Sequence, residues 1–486
     1  MKRAGLITKA PLLPFTLCLV LGIALGRWLS LSWLWLAGLL LVAILSRRWP
    51  SVQSALLGAC FVVLGIVLMN RAEQSLGEPL DSEVVVEAVV ASEATEKPKT
   101  FAFDLLLAND GRKVVCYVAK DQRAAMLKPG DGIVVRLRPL IPDDKDTRFD
   151  DYLHVHGYSG RCYASRTGWQ LRQVSLSGLS VVQRSRLWFL RQRHHLLQNY
   201  RKWFADESNY AVLAAMTLGD KSALSKELRD VYSVTGAAHV LALSGLHMGI
   251  IYMLLSLVTV GRRFRIVSQT LIVLSLWAFA FLVGLPASVV RSATMISVYA
   301  LLSLSNRQTM SIGALSFAAL LMLIVNPMSL FDVGFQMSCM AVFSIVLWVP
   351  LLNSLFPASF MQRHRVLYWV WGIAAVALAA QLGTAPLVAY YFGRFSTYFL
   401  LSNFVVVPAA TCILYGILVV LLIPSTAPAL AWLVGQLNGV LTKMAALPGA
   451  AIEGLHPSVL QVTMCYVIIL ATYLLLTYSP ANARYR

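Results

Sequence analysis

The chain has 486 residues, of which 58% are hydrophobic and only 13% are charged. Soluble domains carry about half apolar and roughly a quarter charged residues, so this composition excludes an ordinary soluble enzyme and indicates a membrane protein. Lysine and arginine number 41 against 23 acidic residues, and the resulting net charge of +18 must lie where water or phosphate can reach it. The seven cysteines form no CxxC pair, which argues against a zinc ribbon or a thioredoxin-like site.

Apolar segments that approach the length of a membrane span recur along the chain. Three open it, at residues 11–26, 31–46 and 51–69, and nine follow, at about 238–259, 266–284, 288–305, 311–326, 331–351, 367–392, 396–423, 427–447 and 459–478. A helix needs ~20 such residues to cross the hydrocarbon layer. The sequence therefore predicts a polytopic α-helical membrane protein with about 12 transmembrane helices.

Basic residues predict the orientation of these segments. Lys2, Arg3 and Lys9 precede the first one, which lacks a signal-peptide cleavage site and is interpreted as an uncleaved anchor. Later basic groups lie at 47–48, 262–265, 306–307, 363–365 and 484–486. Because basic loops stay in the cytoplasm, all of them fit one side of the membrane, and both termini are predicted to be cytoplasmic.

Residues 78–175 have the pattern of short β-strands instead. Alternating or β-branched runs and two turns divide this segment into predicted strands at 83–92, 100–108, 113–119, 133–140, 159–166 and 168–174. So many short strands predict an inserted small β-barrel, OB-like in type, and a β-sandwich is the alternative that the pattern leaves open. Three preceding membrane crossings place this domain on the periplasmic side.

The inserted domain is not basic as a whole, since it carries 14 lysines and arginines against 15 acidic residues. A nucleic acid would therefore need a local basic face, and a merely solvated charged surface is the alternative. Candidates for such a face are Arg112, Lys113, Arg136, Arg138, Arg161 and Arg166. Cys116 and Cys162 fall in predicted strands of a domain exported to an oxidising compartment, which favours a disulfide between them.

A basic amphipathic helix is predicted over residues 181–204. Its polar side collects Arg184, Arg191, His195 and Lys202, and its broad apolar face collects Leu190, Leu196, Leu197, Tyr200, Trp203 and Phe204. Arg186 and Arg193 break this pattern. We interpret the helix as an anchor at anionic lipid headgroups, with a collar that guides an anionic substrate as the alternative.

Polar side chains enter a membrane segment at residues 236–249, in the string GAAHVLALSGLHMG. Placing polar side chains in the membrane costs free energy unless they face a cavity or a partner, and three are involved here: His239, Ser244 and His247. They could have a functional role, and the alternative is that they form hydrogen bonds between helices. Gly245 and Gly249 form a small-xxx-small pair, which predicts the close approach of another helix.

This string closely resembles the H-h-h-A-h-S-G-h-H signature (h, hydrophobic) of the ComEC family, the inner-membrane DNA channel of natural competence. Residues 284–293 (GLPASVVRSA) and 326–338 (NPMSLFDVGFQMS) resemble the family's G-x-x-x-S-x-h-R-A and P-x-x-h-x-D-x-G-F-Q-L-S blocks. FDDYL at 149–153, with Gly157 and Gly160, resembles the end of the family's exported OB-like domain. The resemblance covers residues 10–480 or so.

The resemblance implies a channel in the bacterial inner membrane that moves incoming single-stranded DNA into the cytoplasm. The implied partners are single-stranded DNA, membrane lipids, a DNA receptor, a cytoplasmic helicase-like motor and single-strand-binding proteins. Many family members carry a C-terminal metallo-β-lactamase-like domain, whereas this chain ends at Arg486 without an HxHxDH motif. We therefore expect no enzyme activity, metal or cofactor.

Five residues are predicted to line the DNA path: His239, Ser244, His247, Arg291 and Gln336. Arg291 lies well inside a central span, where an arginine stays charged and faces either a partner or a water-filled path. A purely structural pairing with Asp332 is the alternative for this residue.

Four regions are predicted: three N-terminal membrane helices (1–77), the OB-like domain (78–175), a basic juxtamembrane region (176–235) and the channel domain (236–486). Two other functions stay open. A small-solute secondary transporter would be favoured by inverted repeats with broken helices. An intramembrane enzyme would use Ser244 and His247, for which no third catalytic member is evident.

Overall fold

The computed structural model describes residues 11–77, 82–140, 147–257, 265–304 and 312–478. The predicted basic groups at Lys2, Arg3, Lys9, 262–264, 306–307 and 484–486 lie outside these residues. The chain divides into two compact units. The first comprises residues 1–223 and 248–335, and the second comprises residues 224–247 and 336–486.

Helices account for most of the described chain. In chain order they are α1 (Leu13–Leu25), α2 (Trp33–Leu45), α3 (Pro50–Ser75), α4 (Gln122–Ala125), α5 (Thr147–Val155), α6 (Val181–Trp203), α7 (Glu207–Leu213), α8 (Lys226–Val234), α9 (Ala238–Leu241), α10 (Gly245–Leu257), α11 (Arg265–Leu282), α12 (Ala287–Leu304), α13 (Ile312–Val325), α14 (Val333–Asn353), α15 (Ala358–Arg363), α16 (Arg365–Phe392), α17 (Phe399–Leu422), α18 (Ala427–Ala445) and α19 (Val459–Tyr478).

Six of the described helices are long and apolar enough to cross a membrane, namely α3, α11, α14, α16, α17 and α19. The apolar helices α1, α10 and α13 fall below that length, and so does the stretch Ala287–Leu301 of α12. Since a helix rises 1.5 Å per residue, a helix of 13 residues spans only about 20 Å of a hydrocarbon layer that is ~30 Å thick. The protein is thus a multi-pass helical membrane protein, and the predicted number of about 12 spans is not confirmed.

In the first unit, α1 and α3 pack so closely that their contact requires glycine. A Cβ atom on Gly65 would lie 2.6 Å from the Leu19 carbonyl oxygen, and one on Gly22 would overlap the backbone of Val62. The row of packed helices continues from α1 to α13, then to α12, α11 and α6. This row carries the inserted domain at its α6 end.

The inserted domain is a closed barrel. Its strands are β1 (Val84–Val90), β2 (Thr95–Glu96), β3 (Thr100–Leu107), β4 (Lys113–Ala119), β5 (Gly132–Pro139), β6 (Tyr158–Ala164) and β7 (Trp169–Leu171). Five of them pair in the order β1-β3-β4-β6-β5, and β5 pairs with β1 again, with β4 and β6 parallel. The closure selects the small barrel over the β-sandwich, while β2 and β7 extend the sheet beside β3 and β5.

The barrel interior contains both predicted disulfide partners. Cys116 and Cys162 are direct partners across the parallel pair β4–β6, and both lie in the apolar core of the barrel. Both are free thiols in this structure, so the disulfide is not formed here, although the strands bring the two residues side by side. The disulfide therefore stays a prediction.

Helix α6 connects the barrel to the membrane helices, so our interpretation of it as a surface anchor needs correction. Leu187 packs into an apolar cluster with Val89 and Leu106 on the outside of the barrel. Arg191 donates to the Gly130 carbonyl at 2.6 Å, and Gln183 donates to the Gly111 carbonyl at 2.9 Å. Leu190, Leu197, Tyr200 and Phe204 of the apolar face are buried as well, so much of this face packs against protein.

The second unit combines α16–α19 with a small sheet of β8 (Arg394–Ser396) and β9 (Ala451–Glu453). Arg394 pairs with Glu453 at 2.9 Å and donates to the Ser233 hydroxyl at 3.0 Å. The Tyr232 hydroxyl donates to Asn438 on α18 at 2.8 Å. These bonds tie α8 to the sheet and to α18.

We predict that Gly65→Val destabilises the packing of α1 on α3. The added atoms would overlap the Leu19 carbonyl and the backbone of Ile23, and such overpacking typically costs about 1–3 kcal/mol. The matched control is Gly38→Val, because a Cβ at Gly38 meets no atom within 4 Å among the described residues. Thermal unfolding of the detergent-solubilised protein should show a lower midpoint for Gly65→Val alone, and equal midpoints would contradict this account.

We also predict that the barrel holds a Cys116–Cys162 disulfide, which would contribute ~4 kcal/mol by loop closure. Burial raises the pKa of the Cys162 thiol to about 11 and also raises that of Cys116, so both would react slowly in the native protein even when reduced. Alkylation must therefore follow denaturation, with and without prior reduction, with Cys412 and Cys465 as internal controls. Labelling of Cys116 and Cys162 without reduction would contradict the disulfide.

Candidate functional site

A cavity of about 830 Å³ lies in the first unit, where the barrel, α6 and the helices α11–α13 meet. Its polar lining comes from the barrel, α5 and the segment after it, α6, α12 and the residues before α14. The residues that carry it are Asp104, Lys113, Tyr152, His156, Tyr158, Arg186, Arg193, Arg291, Thr294, Ser297 and Asp332. Four cationic side chains thus face two carboxylates, and the described lining is positive at neutral pH even when His156 is uncharged.

On the barrel side, Asp104 organises the polar groups. Its carboxylate accepts from the Tyr158 hydroxyl at 2.9 Å and lies 3.7 Å from the Lys113 ammonium, which also stands 3.6 Å from the centre of the Tyr158 ring. Burial lowers the pKa of Lys113 to about 8, although Asp104 opposes this shift. Lys113 is therefore charged at neutral pH and titrates just above it.

Two arginines of α6 enter the cavity, and they are the residues that broke its amphipathic pattern. Arg186, Leu190 and Arg193 are spaced i, i+4 and i+7, so they share one face of the helix. Arg193 is 7% exposed and donates to the Val283 carbonyl at 3.1 Å. The Nε atom of each arginine is buried and makes no hydrogen bond within the described residues.

On the membrane-helix side, Arg291 pairs with Asp332. The guanidinium on α12 donates to the carboxylate at 2.9 Å, and Arg291 itself is only 7% exposed. Asp332 also caps α14, since it accepts from the backbone N–H groups of Gly334 and Phe335 at 3.1 Å each. A Cβ on Gly334 would lie 3.0 Å from the guanidinium, which explains the glycine there.

His156 connects the barrel domain to the same carboxylate. Its Nε2 atom lies 3.7 Å from Asp332, and its Nδ1 atom lies 2.7 Å from the Tyr152 carbonyl oxygen. A carbonyl oxygen only accepts, so Nδ1 carries a proton, and a second proton on Nε2 would complete the contact with Asp332. This contact joins the segment after α5 to the start of α14.

The turn between α11 and α12 forms part of the cavity wall in a strained conformation. Gly284 has φ +90°, and Leu285 has φ +57°, which is a left-handed conformation that is costly for a branched residue followed by proline. Arg193 binds the Val283 carbonyl at the start of this turn. The α6 arginine therefore helps to hold a turn that leads directly into α12 and Arg291.

The predicted residues His239, Ser244 and His247 do not line this cavity, since they belong to the second unit. The chain is extended at Ala242 and breaks the segment into α9 and α10, so the predicted continuous span at 238–259 is wrong. His247 is fully buried, and its Nδ1 accepts from the Ser244 backbone N–H at 3.3 Å and lies 3.0 Å from the Ser244 hydroxyl. This arrangement caps α10.

The remaining predicted residues make local contacts. The side chain of Gln336 accepts from the Tyr391 hydroxyl at 2.7 Å within the second unit. Gly245 is exposed at the first position of α10, and a Cβ on Gly249 would meet no atom of the described chain within 4 Å. The close helix contact predicted at this pair is therefore not found in the described part of the protein, and glycines of α1 and α3 make such a contact instead.

Comparison with known proteins places the chain in a family. The family model described as Competence protein matches residues 216–478, which is more than half of the chain. The chain belongs to the Competence protein family. The match contains Arg291, Asp332 and the segment from His239 to His247, whereas the barrel precedes it.

Individual relatives of this Competence protein are similar over part of their length. The chain is 28% identical to ComE operon protein 3 of Bacillus subtilis over 62% of this chain and 38% of that protein. It is 27% identical to Recombination protein 2 of Haemophilus influenzae over 44% of this chain and 29% of that protein. The chain thus spans less than two thirds of these relatives, and no solved structure matches it.

Among the residues of the cavity, the sequence pointed to Arg291, Lys113 and Asp332 but missed Arg186, Arg193 and His156. The signal for the two arginines was their spacing of seven residues, which places both on one face of the helix among apolar residues. His156 follows the FDDYL motif, but its sequence gives no sign that it meets a residue 176 positions later.

We predict that Lys113 makes the stability of the protein depend on pH between about 8 and 10.5. In this window the unfolded chain keeps the proton that the folded protein has lost, so the free energy of unfolding rises with pH. Lys113→Met should remove this rise, and Lys128→Met, at an exposed lysine of the same domain, should not. Thermal unfolding across this pH range tests it, and an unchanged slope in Lys113→Met would contradict it.

Proposed function

We propose that the protein acts in DNA uptake during competence and passes a single strand of DNA across the bacterial inner membrane. The match of residues 216–478 to the Competence protein family is the observation that carries this proposal. The names of the relatives in Bacillus subtilis and Haemophilus influenzae, which refer to a ComE operon and to recombination, agree with it. A DNA receptor, a cytoplasmic helicase-like motor and single-strand-binding proteins would be its partners.

The charge of the cavity supports a polyanionic cargo. One strand of DNA carries a phosphate on every nucleotide, and bare hydrocarbon would reject these charges. Lys113, Arg186, Arg193 and Arg291 lead from the barrel to α12 and supply positive charge along that direction. We propose that DNA phosphates in transit meet Arg291 at the membrane end of this series.

The outer surface of the barrel supports a weaker role in binding. Arg112 pairs with Asp110, Arg161 pairs with Asp150 at 2.8 Å, and the Arg136 guanidinium lies 3.8 Å from Glu83. Paired guanidinium groups attract phosphate less than free ones do, because the carboxylate cancels much of their field. We therefore propose that the barrel, on the periplasmic side, delivers DNA toward Lys113 and the cavity.

His239, Ser244, His247 and Gln336 are proposed as a second polar set on the DNA path. They lie in the second unit, where His247 is buried and Gln336 bonds to Tyr391. No described residue accepts a hydrogen bond from His247 Nε2. A buried donor of this kind is a reason to test His247 for contact with a cargo.

We predict that Arg291→Gln lowers transformation by about 10- to 100-fold, which corresponds to losing a charge-assisted hydrogen bond of ~1.5–3 kcal/mol. Arg291→Lys should retain part of the activity, because it keeps the charge and loses the planar fork. Transformation frequency and periplasmic DNA capture are scored at matched protein levels. The control is Arg48→Gln, at an exposed basic residue before α3.

The double variant Arg291→Gln/Asp332→Asn separates transport from structure. If Arg291 serves only to neutralise Asp332, removing both charges together should restore transformation along with protein abundance. If Arg291 contacts phosphate, the double variant should regain abundance and remain deficient in DNA entry, with periplasmic capture intact. Full transformation by the double variant would remove Arg291 from the DNA path.

A further inference from the structure

The cavity has two ends of different chemistry. Its barrel end carries the charged groups described above, and its other end is lined by apolar side chains of α12 and α13, among them Leu301, Phe317 and Leu321. Arg291 and Leu301 lie ten residues apart on α12, which corresponds to about 15 Å along the helix axis. A ligand that fills the whole cavity must therefore be polar at one end and apolar at the other.

The apolar end opens sideways. Leu301 is 65% exposed, Leu321 is 42% exposed and Phe317 is 38% exposed, although all three line the cavity. These residues belong to apolar helices of a membrane protein, so hydrocarbon is the medium that we expect outside this opening. A lipid chain can enter through such an opening, whereas a phosphate backbone would be driven out of it.

The charged end carries more positive charge than the described protein neutralises. Asp104 lies beside Lys113, and Asp332 pairs with Arg291. Arg186 and Arg193 make no ion pair with a described carboxylate, and the Nε atom of each is buried without an acceptor. Arg193 donates to the carbonyls of Leu218 and Val283, and Asp104 attracts Arg186 as well as Lys113. Neutral carbonyls and one shared carboxylate leave an excess of buried positive charge, which an anion would neutralise.

We propose that the cavity binds an anionic phospholipid of the membrane. The phosphate of its headgroup accepts hydrogen bonds from Arg186 and Arg193, because planar guanidinium groups match phosphate oxygens. One acyl chain runs along α12 and α13 past Leu301 and leaves through the lateral opening. This binding is a property of the first unit and requires no DNA.

Native mass spectrometry of the purified full chain tests the proposal, with phosphatidylglycerol, cardiolipin, phosphatidylcholine and inorganic phosphate as separate probes. We expect the protein to retain an anionic lipid in preference to phosphatidylcholine. Arg186→Gln/Arg193→Gln should reduce that retention at least tenfold, whereas Lys202→Gln, at an exposed position of the same helix, should retain lipid as the unsubstituted protein does. Unfolding temperatures identify variants that fail to fold.

A second variant leaves the arginines in place. Leu321→Trp narrows the apolar end, so it should weaken lipid retention and leave binding of inorganic phosphate unchanged. Equal retention of lipid by the arginine variant and the control would overturn the proposal. Displacement of the lipid by inorganic phosphate would also overturn it, in favour of a free-anion site. Lipid retention is measured without DNA, so its failure leaves the transformation tests intact.

Discussion

The first unit depends on the contacts that the carboxylate of Asp332 makes. It binds the guanidinium of Arg291, caps α14 through two backbone N–H groups and faces His156 of the inserted domain. A buried arginine left without its partner typically costs 3–5 kcal/mol, so this pairing fixes how α12 meets the start of α14. Gly334 serves the same contact, because any side chain there would press on the guanidinium.

The position of α6 determines which other charged side chains line the cavity. Its apolar residues pack on the barrel and on α11, and this leaves Arg186 and Arg193 pointing into the enclosed space between them. Arg193 then satisfies the carbonyl of Val283 at the strained turn before α12. A buried charge and a strained backbone thus lie side by side at this turn. Strained residues cluster at functional sites, so the turn is a candidate for a functional role.

Local patterns in the sequence predicted much of the fold. Period-two alternation and glycine turns gave the barrel strands, because a half-buried strand and a turn with positive φ each restrict residue type locally. Apolar runs predicted the helices, but they did not predict their ends: the segment 238–259 breaks at Ala242, where hydropathy shows no change. The Gly245–Gly249 pair failed for a similar reason, since a small-residue motif does not say which helix approaches it.

The sequence by itself determined the membrane environment, the small inserted β domain and the motifs of the Competence protein family. These depend on composition and on short, continuous strings of residues. Only the tertiary structure decided that Asp104, Arg186, Arg291 and Asp332 share one cavity, because these residues come from four distant segments. Their convergence depends on how α6 packs against the barrel on one side and against α11 on the other. Such packing depends on the shapes of surfaces that are far apart in the sequence, so no local periodicity predicts it.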